Sequence, residues 1–345
     1  MDIEKPNYPK NCWWVAATSD EIDDKPLGRW LLDEPVVLYR KKNGNVVALE
    51  DRCPHRWAPL SMGKVVNDHL ACGYHGFQFA ESGRCVKIPS QDKIPEAAKI
   101  RTYPVIERAP HIWIWMGDPA RKDEVAVPDL GFMTSPKSNT VGNYMHLEAN
   151  YFLLQENVLD LTHFAFVHAT TLELEGWDSG EDEVFITDTS VRFRRPTPQT
   201  PLAPFMSIPA GIKPGEICDS TAYGEILLPG VHVAGIDFDD PYRGAAGKNA
   251  YHFKITHLTT PESPTTTHYW WGVGQDYGKP GSKENEEVLN IINTAFNQDK
   301  DFLEAIQRLV KRDPRHSNST EISVLADRSA LQARKILQDM LARDN

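Results

Sequence analysis

Cys53 and His55 stand two residues apart in DRCPHRWAPL, and Cys72 and His75 stand three apart in ACGYHGFQF, with sixteen residues between the two groups. Thiol and imidazole side chains this close together read first as metal ligands, and the question is whether they serve one ion or two. A structural zinc ion would draw all four onto a tetrahedron, and zinc-binding sequences usually group like ligands as C-x2-4-C or H-x3-5-H. Here each group mixes one Cys with one His, and the C-x-H spacing is tight for chelating a single ion. Two metals ease the geometry. With Cys53 and Cys72 on one iron and His55 and His75 on a second, a two-iron, two-sulfide cluster fits between two loop tips, and the neutral imidazoles raise its reduction potential. Pro54 and Gly73 suit tight loops that bring backbone amides near the sulfides. Such a centre only carries electrons; substrate chemistry needs a second site.

The segment NYFLLQENVLDLTHFAFVH offers one, and it reads as helical. At about 100° per residue, with Asn157 at zero, Asp160 falls near −60°, His163 near −120° and His168 near +20°, an arc of roughly 140°. Leu153, Glu156 and Phe164 share that arc, so the angle does not exclude Glu156 as a ligand, and either histidine taken singly also reads as a satisfied core or surface residue. Two histidines and one carboxylate would make the facial triad of a non-haem Fe(II) site with open positions. The stretch EEVLNIINTAFNQDKDFLEAIQRLVKR supplies a carboxylate. Its apolar stripe runs through Val288, Ile292, Ala295, Phe296, Phe302, Leu303, Ile306, Leu309 and Val310 with helical period. Asp299 is the stripe's next position after Phe296, and a carboxylate on a buried face is costly unless paired or metal-bound. Asp301 projects about 200° away, toward solvent. Asp299 is therefore the expected third ligand.

The elements that must position these groups follow from the rest of the chain. Its 345 residues predict two domains. Residues 1–118 read as short strands and turns, an all-β module, with a hairpin across Asn43-Gly44 in PVVLYRKKNGNVVALED. Residues 119–139 form a Pro-punctuated junction. Residues 140–345 combine the helical segment, candidate strands EVFITDTSVRF, TAYGEILL, HFKITHLTT and THYWWGVG, and two long C-terminal helices, an α+β pattern with one antiparallel sheet and helices against it. A net charge of −11 argues against nucleic-acid binding. The acidic N-terminus is unlike a signal peptide and no apolar run approaches membrane length, so the expected location is cytoplasmic, without membrane contact. Five cysteines, an odd number, make a disulfide framework an unsuitable reading in that compartment.

Together these stretches resemble a known family. CPHR followed by CGYHG resembles the Rieske signature, NVLDLTHFAFVH resembles the D-x2-H-x4-H segment of Rieske non-haem iron oxygenases, and FNQDKDFLEAIQ resembles their carboxylate-supplying segment. The matches run from about residue 11 to 312, and NCWWVAATSDEI with KPLGR is similar to the terminal oxygenases of vanillate and dicamba O-demethylases and of toluenesulfonate methyl-monooxygenase. Two departures stand out: Trp57 follows CPHR where a small residue is common, and NQDK stands where EDK is frequent.

The resemblance implies an N-terminal all-β Rieske [2Fe–2S] domain and a catalytic domain of helical-grip type. It implies one Rieske cluster on Cys53, His55, Cys72 and His75, and one mononuclear Fe(II) on His163, His168 and Asp299. O2 would be the co-substrate, and NADH would supply electrons through a separate flavin and iron–sulfur reductase or a ferredoxin. No G-x-G-x-x-G follows a strand here, so that reductase is another polypeptide. Family members are trimers or multiples of trimers in which one subunit's cluster serves the next subunit's iron. Asp160 matches the bridging acid, expected to accept hydrogen bonds from His163 and, across the interface, from His75, with Asn157 beside it in the catalytic group. The implied reaction is hydroxylation of a methyl group on a small aromatic, acidic compound, by O-demethylation or methyl hydroxylation. An N-methyl or non-acid substrate such as an alkaloid or purine is the alternative, and a Rieske electron carrier without catalysis a remoter one, against which the His pair and Asp299 argue. In YHFKITHLTT, Tyr251, Phe253, Ile255 and His257 alternate onto one strand face. His257 is there either to bond a polar or anionic substituent or as an internally bonded core residue.

Overall fold

The computed structural model describes residues 8–174, 182–244, 247–313, 315 and 321–344. The N-terminal strands are β1 (Trp13–Thr18), β2 (Leu27–Leu31), β3 (Glu34–Arg40), β4 (Val46–Glu50), β5 (Lys64–Val66), β6 (His69–Ala71), β7 (Gln78–Phe79), β8 (Cys85–Lys87), β9 (Thr102–Tyr103), β10 (Val105–Arg108) and β11 (His111–Trp115). They form three small antiparallel sheets ordered β1-β11-β10, β2-β3-β4-β9 and β5-β6-β7-β8. The expected hairpin is present between β3 and β4, where Gly44 takes φ +89°, open to glycine without strain.

The remainder runs β12 (Asn139–Leu147), α1 (Tyr151–Leu159), α2 (Phe164–Val167), β13 (Glu183–Ile186), β14 (Ser190–Pro201), α3 (Pro204–Ser207), β15 (Ile217–Leu227), β16 (Val231–Asp239), β17 (Ala250–Ser263), β18 (Thr266–Gln275), α4 (Lys283–Arg312) and α5 (Arg328–Asp344). Seven strands make one antiparallel sheet ordered β12-β18-β17-β16-β15-β14-β13. The stretch EVFITDTSVRF, expected as one strand, is two: Thr187 N–H bonds Ser190 O and turns the chain between β13 and β14. β12 and β16 have no counterpart among the expected strands.

Burial along β18 explains how the two parts are held together. Nearly every residue of Thr266–Gln275 is buried, so the strand is covered on both faces. Trp270 faces the N-terminal module and packs with Trp13, Trp113 and Trp115, while Trp271, on the opposite face, packs with Phe296 of α4. The Trp13 and Trp115 rings meet edge to face at 5.5 Å, an arrangement worth about 0.5–1.5 kcal/mol beyond area burial. Trp14 of β1 packs against Tyr151 of α1 at 5.6 Å, so the first strand also touches the helix that precedes the histidines.

α4 begins where Ser282 accepts a bond from Asn285 N–H, and Glu284 and Glu286 near its start and Lys311 and Arg312 near its end complement the helix dipole. Its apolar stripe is only half buried. Val288, Ile292, Ala295, Phe296 and Leu303 are in the core, whereas Phe302, Ile306 and Leu309 are exposed, which corrects the continuous buried face expected from the period. Periodicity marks which side of a helix is apolar, not whether anything covers it.

α5 closes the molecule. Arg334 bonds both carboxylate oxygens of Glu156 on α1, with Nη2 to Oε2 at 2.8 Å. Asp344 accepts from Lys10 N–H at 2.6 Å and from Asn11 Nδ2 at 2.8 Å. Among the described residues no helix is long and apolar enough to cross a membrane. The five cysteines are free and buried.

Candidate metal centres

Two turns of one design carry the Cys–His groups. Cys53 N–H bonds Ala58 O at 2.9 Å and Trp57 N–H bonds Cys53 O at 2.8 Å; Cys72 N–H bonds Phe77 O at 2.8 Å and Gly76 N–H bonds Cys72 O at 3.0 Å. The pattern repeats position for position, including a left-handed residue four after each Cys: Trp57 at φ +60° and Gly76 at φ +74°. Gly76 meets that requirement freely, whereas Trp57 is strained. Gly73 is needed for a different reason, since a Cβ there would lie 2.6 Å from Met62 O of the neighbouring turn.

The turns bring Cys53 and Cys72 together inside and leave His55 and His75 exposed, their rings 4.6 Å apart. Burial pushes the Cys53 thiol up to about 11, with Cys72 adding to the effect, while the backbone amides of His55 and Arg56 at its sulfur act the other way. Two buried thiols attended by amides, beside two exposed imidazoles, are a donor set that would hold a [2Fe–2S] cluster on two thiolates and two imidazoles.

The second group converges from elements distant in sequence. α1 ends at Leu159, because Asp160 leaves helical geometry (φ −110°, ψ 101°) and starts a new turn, its Oδ1 accepting Thr162 N–H at 2.8 Å and Thr162 Oγ1 at 2.6 Å. The single-helix arc expected for Asn157 to His168 therefore does not exist; His163 closes a short 3-10 turn and His168 caps α2. The two histidines still meet, with ring centroids 5.1 Å apart. Asp299 of α4 joins them, its Oδ1 at 3.4 Å from His163 Nε2 and 3.2 Å from His168 Nε2. One potential ligand atom from each residue lies within 4.8 Å of the others, the arrangement of a metal-binding triad.

Neighbours set the tautomers. His168 Nδ1–H donates to Gln298 Oε1 at 3.0 Å, and His163 Nδ1–H donates to the Asp160 backbone carbonyl. Both assignments leave Nε2 with a lone pair toward the common point. Among the described residues His163 Nε2 is buried with no hydrogen-bond partner, which suits a metal-ligand atom. Asn157 Nδ2 donates to Asp299 Oδ1 at 3.2 Å and steadies the carboxylate. Burial alone would raise Asp299, but proton-bearing imidazoles facing it outweigh that and hold the carboxyl down at about 2, so the common point calls for positive charge, which a metal ion would supply once both Nε2 atoms offer lone pairs. Asp301 is exposed, and Glu156 is turned to Arg334, which removes it from the ligand set.

Asp160 differs from expectation in one respect. Its carbonyl, not its carboxylate, meets His163; the carboxylate caps Thr162, and no described residue bonds its Oδ2. Gln298 was not anticipated, although it is the second residue of the NQDK departure and its position beside Asp299 was a usable signal. His257 lines the cavity that opens at the triad and bonds Tyr269 through Nδ1, so it is both a pocket residue and an internally bonded one. That cavity is partly open to solvent and has Val158, Phe164, Phe193, Phe253, Ile255 and Phe296 among its walls.

Residues 12–104 match the Rieske [2Fe-2S] domain and residues 147–343 the vanillate O-demethylase oxygenase C-terminal domain. The oxygenase component of dicamba O-demethylase from Stenotrophomonas maltophilia is 36% identical over 310 residues, covering 87% of this chain and 88% of that protein. The iron-sulfur subunit TsaM1 of the toluene-4-sulfonate monooxygenase system from Comamonas testosteroni is 36% identical over 348 residues, covering 98% of each. The crystal structure of dicamba monooxygenase bound to 3,6 dichlorosalicylic acid superposes with a TM-score of 0.88 at 32% identity, covering 97% of this chain and 98% of that one.

Proposed function

Because the chain belongs to the Rieske non-haem iron oxygenases, as an oxygenase component of the vanillate O-demethylase type, we propose that it hydroxylates a methyl group of a small aromatic compound, chiefly by oxidative O-demethylation. The observation that carries this reading is the His163–His168–Asp299 triad at the wall of a largely apolar cavity. Electrons come from NADH through a separate reductase. When bound, the Rieske cluster supplies electrons singly and the ferrous ion supplies reductive activation of O2. In the net reaction O2, two electrons and two protons turn a methoxy carbon into a hydroxymethyl ether and water. That hemiacetal then breaks its C–O bond, with the hydroxyl proton passing to the aryl oxygen, to give a phenol and formaldehyde.

The chain's own residues prepare this chemistry. Cys53, Cys72, His55 and His75 hold the cluster, and His163, His168 and Asp299 hold the iron. Gln298 and the Asp160 carbonyl keep both imidazoles in the tautomer that offers Nε2, and Asn157 fixes the carboxylate. The apolar walls exclude bulk water and orient an aromatic ring.

The assembly is a trimer or a multiple of one, with each cluster serving the neighbouring subunit's iron. Support comes from two exposed apolar rims. Trp57, Met62 and Tyr74 surround the exposed cluster histidines, and Phe166, Phe302 and Ile306 lie on the elements that carry the iron ligands. Asp160 Oδ2 is left for His75 of a neighbouring subunit, which would make Asp160 the bridge between centres.

The test is a panel of methoxy, N-methyl and ring-methyl aromatics with a generic reductase and NADH. The expected outcome is formaldehyde equal to the phenol formed, from protein holding three irons and two sulfides per chain. Ring-methyl alcohols without formaldehyde would replace demethylation by methyl hydroxylation, and two irons per chain would reduce the protein to a carrier. Light scattering checks the trimer; a fully active monomer would exclude it.

A further inference from the structure

A line of oxidisable side chains leads from the iron-site cavity through the large sheet to the seam with the N-terminal module. It begins at Tyr269 on β18, which is 2% exposed and whose hydroxyl lies 2.7 Å from Nδ1 of His257 on the cavity wall. Phe296, one turn before Asp299 on α4, packs against both of these rings and against Trp271, with centroids 5.1 Å from His257, 6.2 Å from Tyr269 and 5.1 Å from Trp271. Trp271 and Trp270 are neighbours in sequence on opposite faces of β18, so the line crosses the sheet at a single peptide bond. On the far face Trp270 pairs directly across the strands with Tyr144 of β12, their rings 5.4 Å apart. Tyr144 is half-buried and lines a cleft that opens to solvent.

Each end of the line is a tyrosine with a base beside its hydroxyl. The Tyr269 hydroxyl makes no other hydrogen bond among the described residues, so its O–H is satisfied only by donating to His257 Nδ1. At the outer end the Trp30 carbonyl, 3.0 Å from His268 Nε2, can only accept; the His268 proton therefore sits on Nε2, and Nδ1 accepts from Tyr144 O–H at 2.8 Å. A phenol gives up an electron readily only if its proton leaves with it, and both hydroxyls have an acceptor within hydrogen-bond reach. The indoles between them differ. Trp271 Nε1 is buried with no hydrogen-bond partner among the described residues, so nothing there takes a proton and the ring can only pass charge onward. Trp270 Nε1–H donates to Glu21 Oε2 at 3.4 Å, and the Arg29 guanidinium over its face at 5.3 Å is paired with the same carboxylate, Nη2 to Oε1 at 2.8 Å. A positive charge passing through that indole thus meets a nearly neutral pair and not a bare cation.

We propose that this line is a protective redox relay: when O2 has been reduced by two electrons at the ferrous site and no substrate C–H bond is there to react, Tyr269 is oxidised in place of the pocket walls. Tyr269 gives one electron inward while its hydroxyl proton moves to His257 Nδ1, leaving a neutral tyrosyl. An electron from Tyr144 then crosses Trp270 and Trp271 to refill it, the proton returns from His257, and the Tyr144 proton passes to His268. A soluble one-electron reductant of the thiol or ascorbate class restores Tyr144 at the cleft, with the proton coming back from His268. Two such cycles deliver two electrons, which with two protons from solvent turn O2 at the oxidation level of hydrogen peroxide into two waters. The relay rests on iron at the triad but not on which methyl group the enzyme attacks. Freeze-quench electron paramagnetic resonance tests it, on cluster- and iron-loaded enzyme mixed with hydrogen peroxide without aromatic substrate. The expected result is a neutral tyrosyl signal that narrows when the protein carries ring-deuterated tyrosine and is lost in Tyr269→Phe. Tyr144→Phe cuts the exit, so its signal should outlast that of the wild type when ascorbate is added, with substrate turnover unchanged. Asp299→Ala, emptied of iron, should give no signal, which separates the relay from general peroxide damage. Peptide mass spectrometry should find oxygen added to Phe164 or Phe296 several-fold more in Tyr269→Phe than in the wild type. Should Tyr269→Phe lose its metals, the deuterium narrowing and the Tyr144→Phe persistence decide. Iron is counted on every sample: wild-type protein that never holds the third iron removes the triad and the relay together. Iron-loaded protein with no tyrosyl signal, or a signal that Tyr269→Phe and Tyr144→Phe both leave unchanged, overturns the relay alone.

Discussion

Cys53–His55 and Cys72–His75 occupy two turns of one hydrogen-bond pattern within a single small module and present their imidazoles to solvent, whereas the triad is gathered from α4 and from turns far earlier in the chain and is largely buried. As many as 130 residues separate His168 from Gln298, which orients it. The difference follows from what each centre must do. An electron carrier has to be reached by a partner, so its histidines stand at the surface. A centre that handles O2 beside a substrate has to keep bulk water out, so its ligands line an apolar cavity.

The comparison breaks most completely at Asp299. Asp299→Ala should empty the mononuclear site and abolish turnover while leaving the cluster intact, seen as a fall from three irons to two per chain with an unchanged rhombic resonance of the reduced cluster. Loss of both centres together would mean that they are not independent. Asp160→Asn should keep both metals and lose most turnover, because the amide still accepts from Thr162 but its NH2 cannot accept from a neighbouring His75. Single-turnover electron transfer from prereduced cluster to iron is the measurement, and full activity would refute the bridge. Gln298→Ala leaves His168 free to turn, and iron retention should weaken about 10- to 100-fold, read by competition with a chelator. The smallest effect concerns the matched turns. Left-handed geometry costs a non-glycine residue about 1–2 kcal/mol, and a new glycine loses about 0.4–1 kcal/mol through the unfolded chain. Trp57→Gly should therefore change monomer stability by about 1 kcal/mol or less and spare the cluster spectrum. It should nonetheless weaken assembly, seen as trimer dissociating at higher protein concentration; an unaltered assembly would remove Trp57 from the interface.

The two Cys–His groups were legible by type and spacing, and the structure brings Cys53 to Cys72 and His55 to His75, because residues so close in sequence need only two local turns to meet. The distant centre was legible by residue type and less so by geometry. Asp299 stood out as a carboxylate on an apolar stripe, but Leu154, Val158, Leu161 and Ala165, spaced by four, three and four, carry a helical period straight through Asp160, where the chain in fact turns. The competing signal was Asp-x-Thr, a capping arrangement in which a short side chain takes a backbone N–H. Phe302, Ile306 and Leu309 misled for a related reason, because an apolar face left exposed has the same period as one buried in the core. His232 carried no signal in sequence; that neither of its ring nitrogens has a hydrogen-bond partner among the described residues is visible only in the tertiary packing.

The closure of α5 over α1 ties the last segment of the polypeptide to the reaction centre. Arg334 grips Glu156, and the next residue, Asn157, holds Asp299. Proteolytic trimming of this seventeen-residue helix would thus release the anchor beside the triad, together with the hold of Asp344 on Lys10 and Asn11, while touching neither Cys–His turn directly. Aged preparations nicked there would keep their brown colour and lose their chemistry.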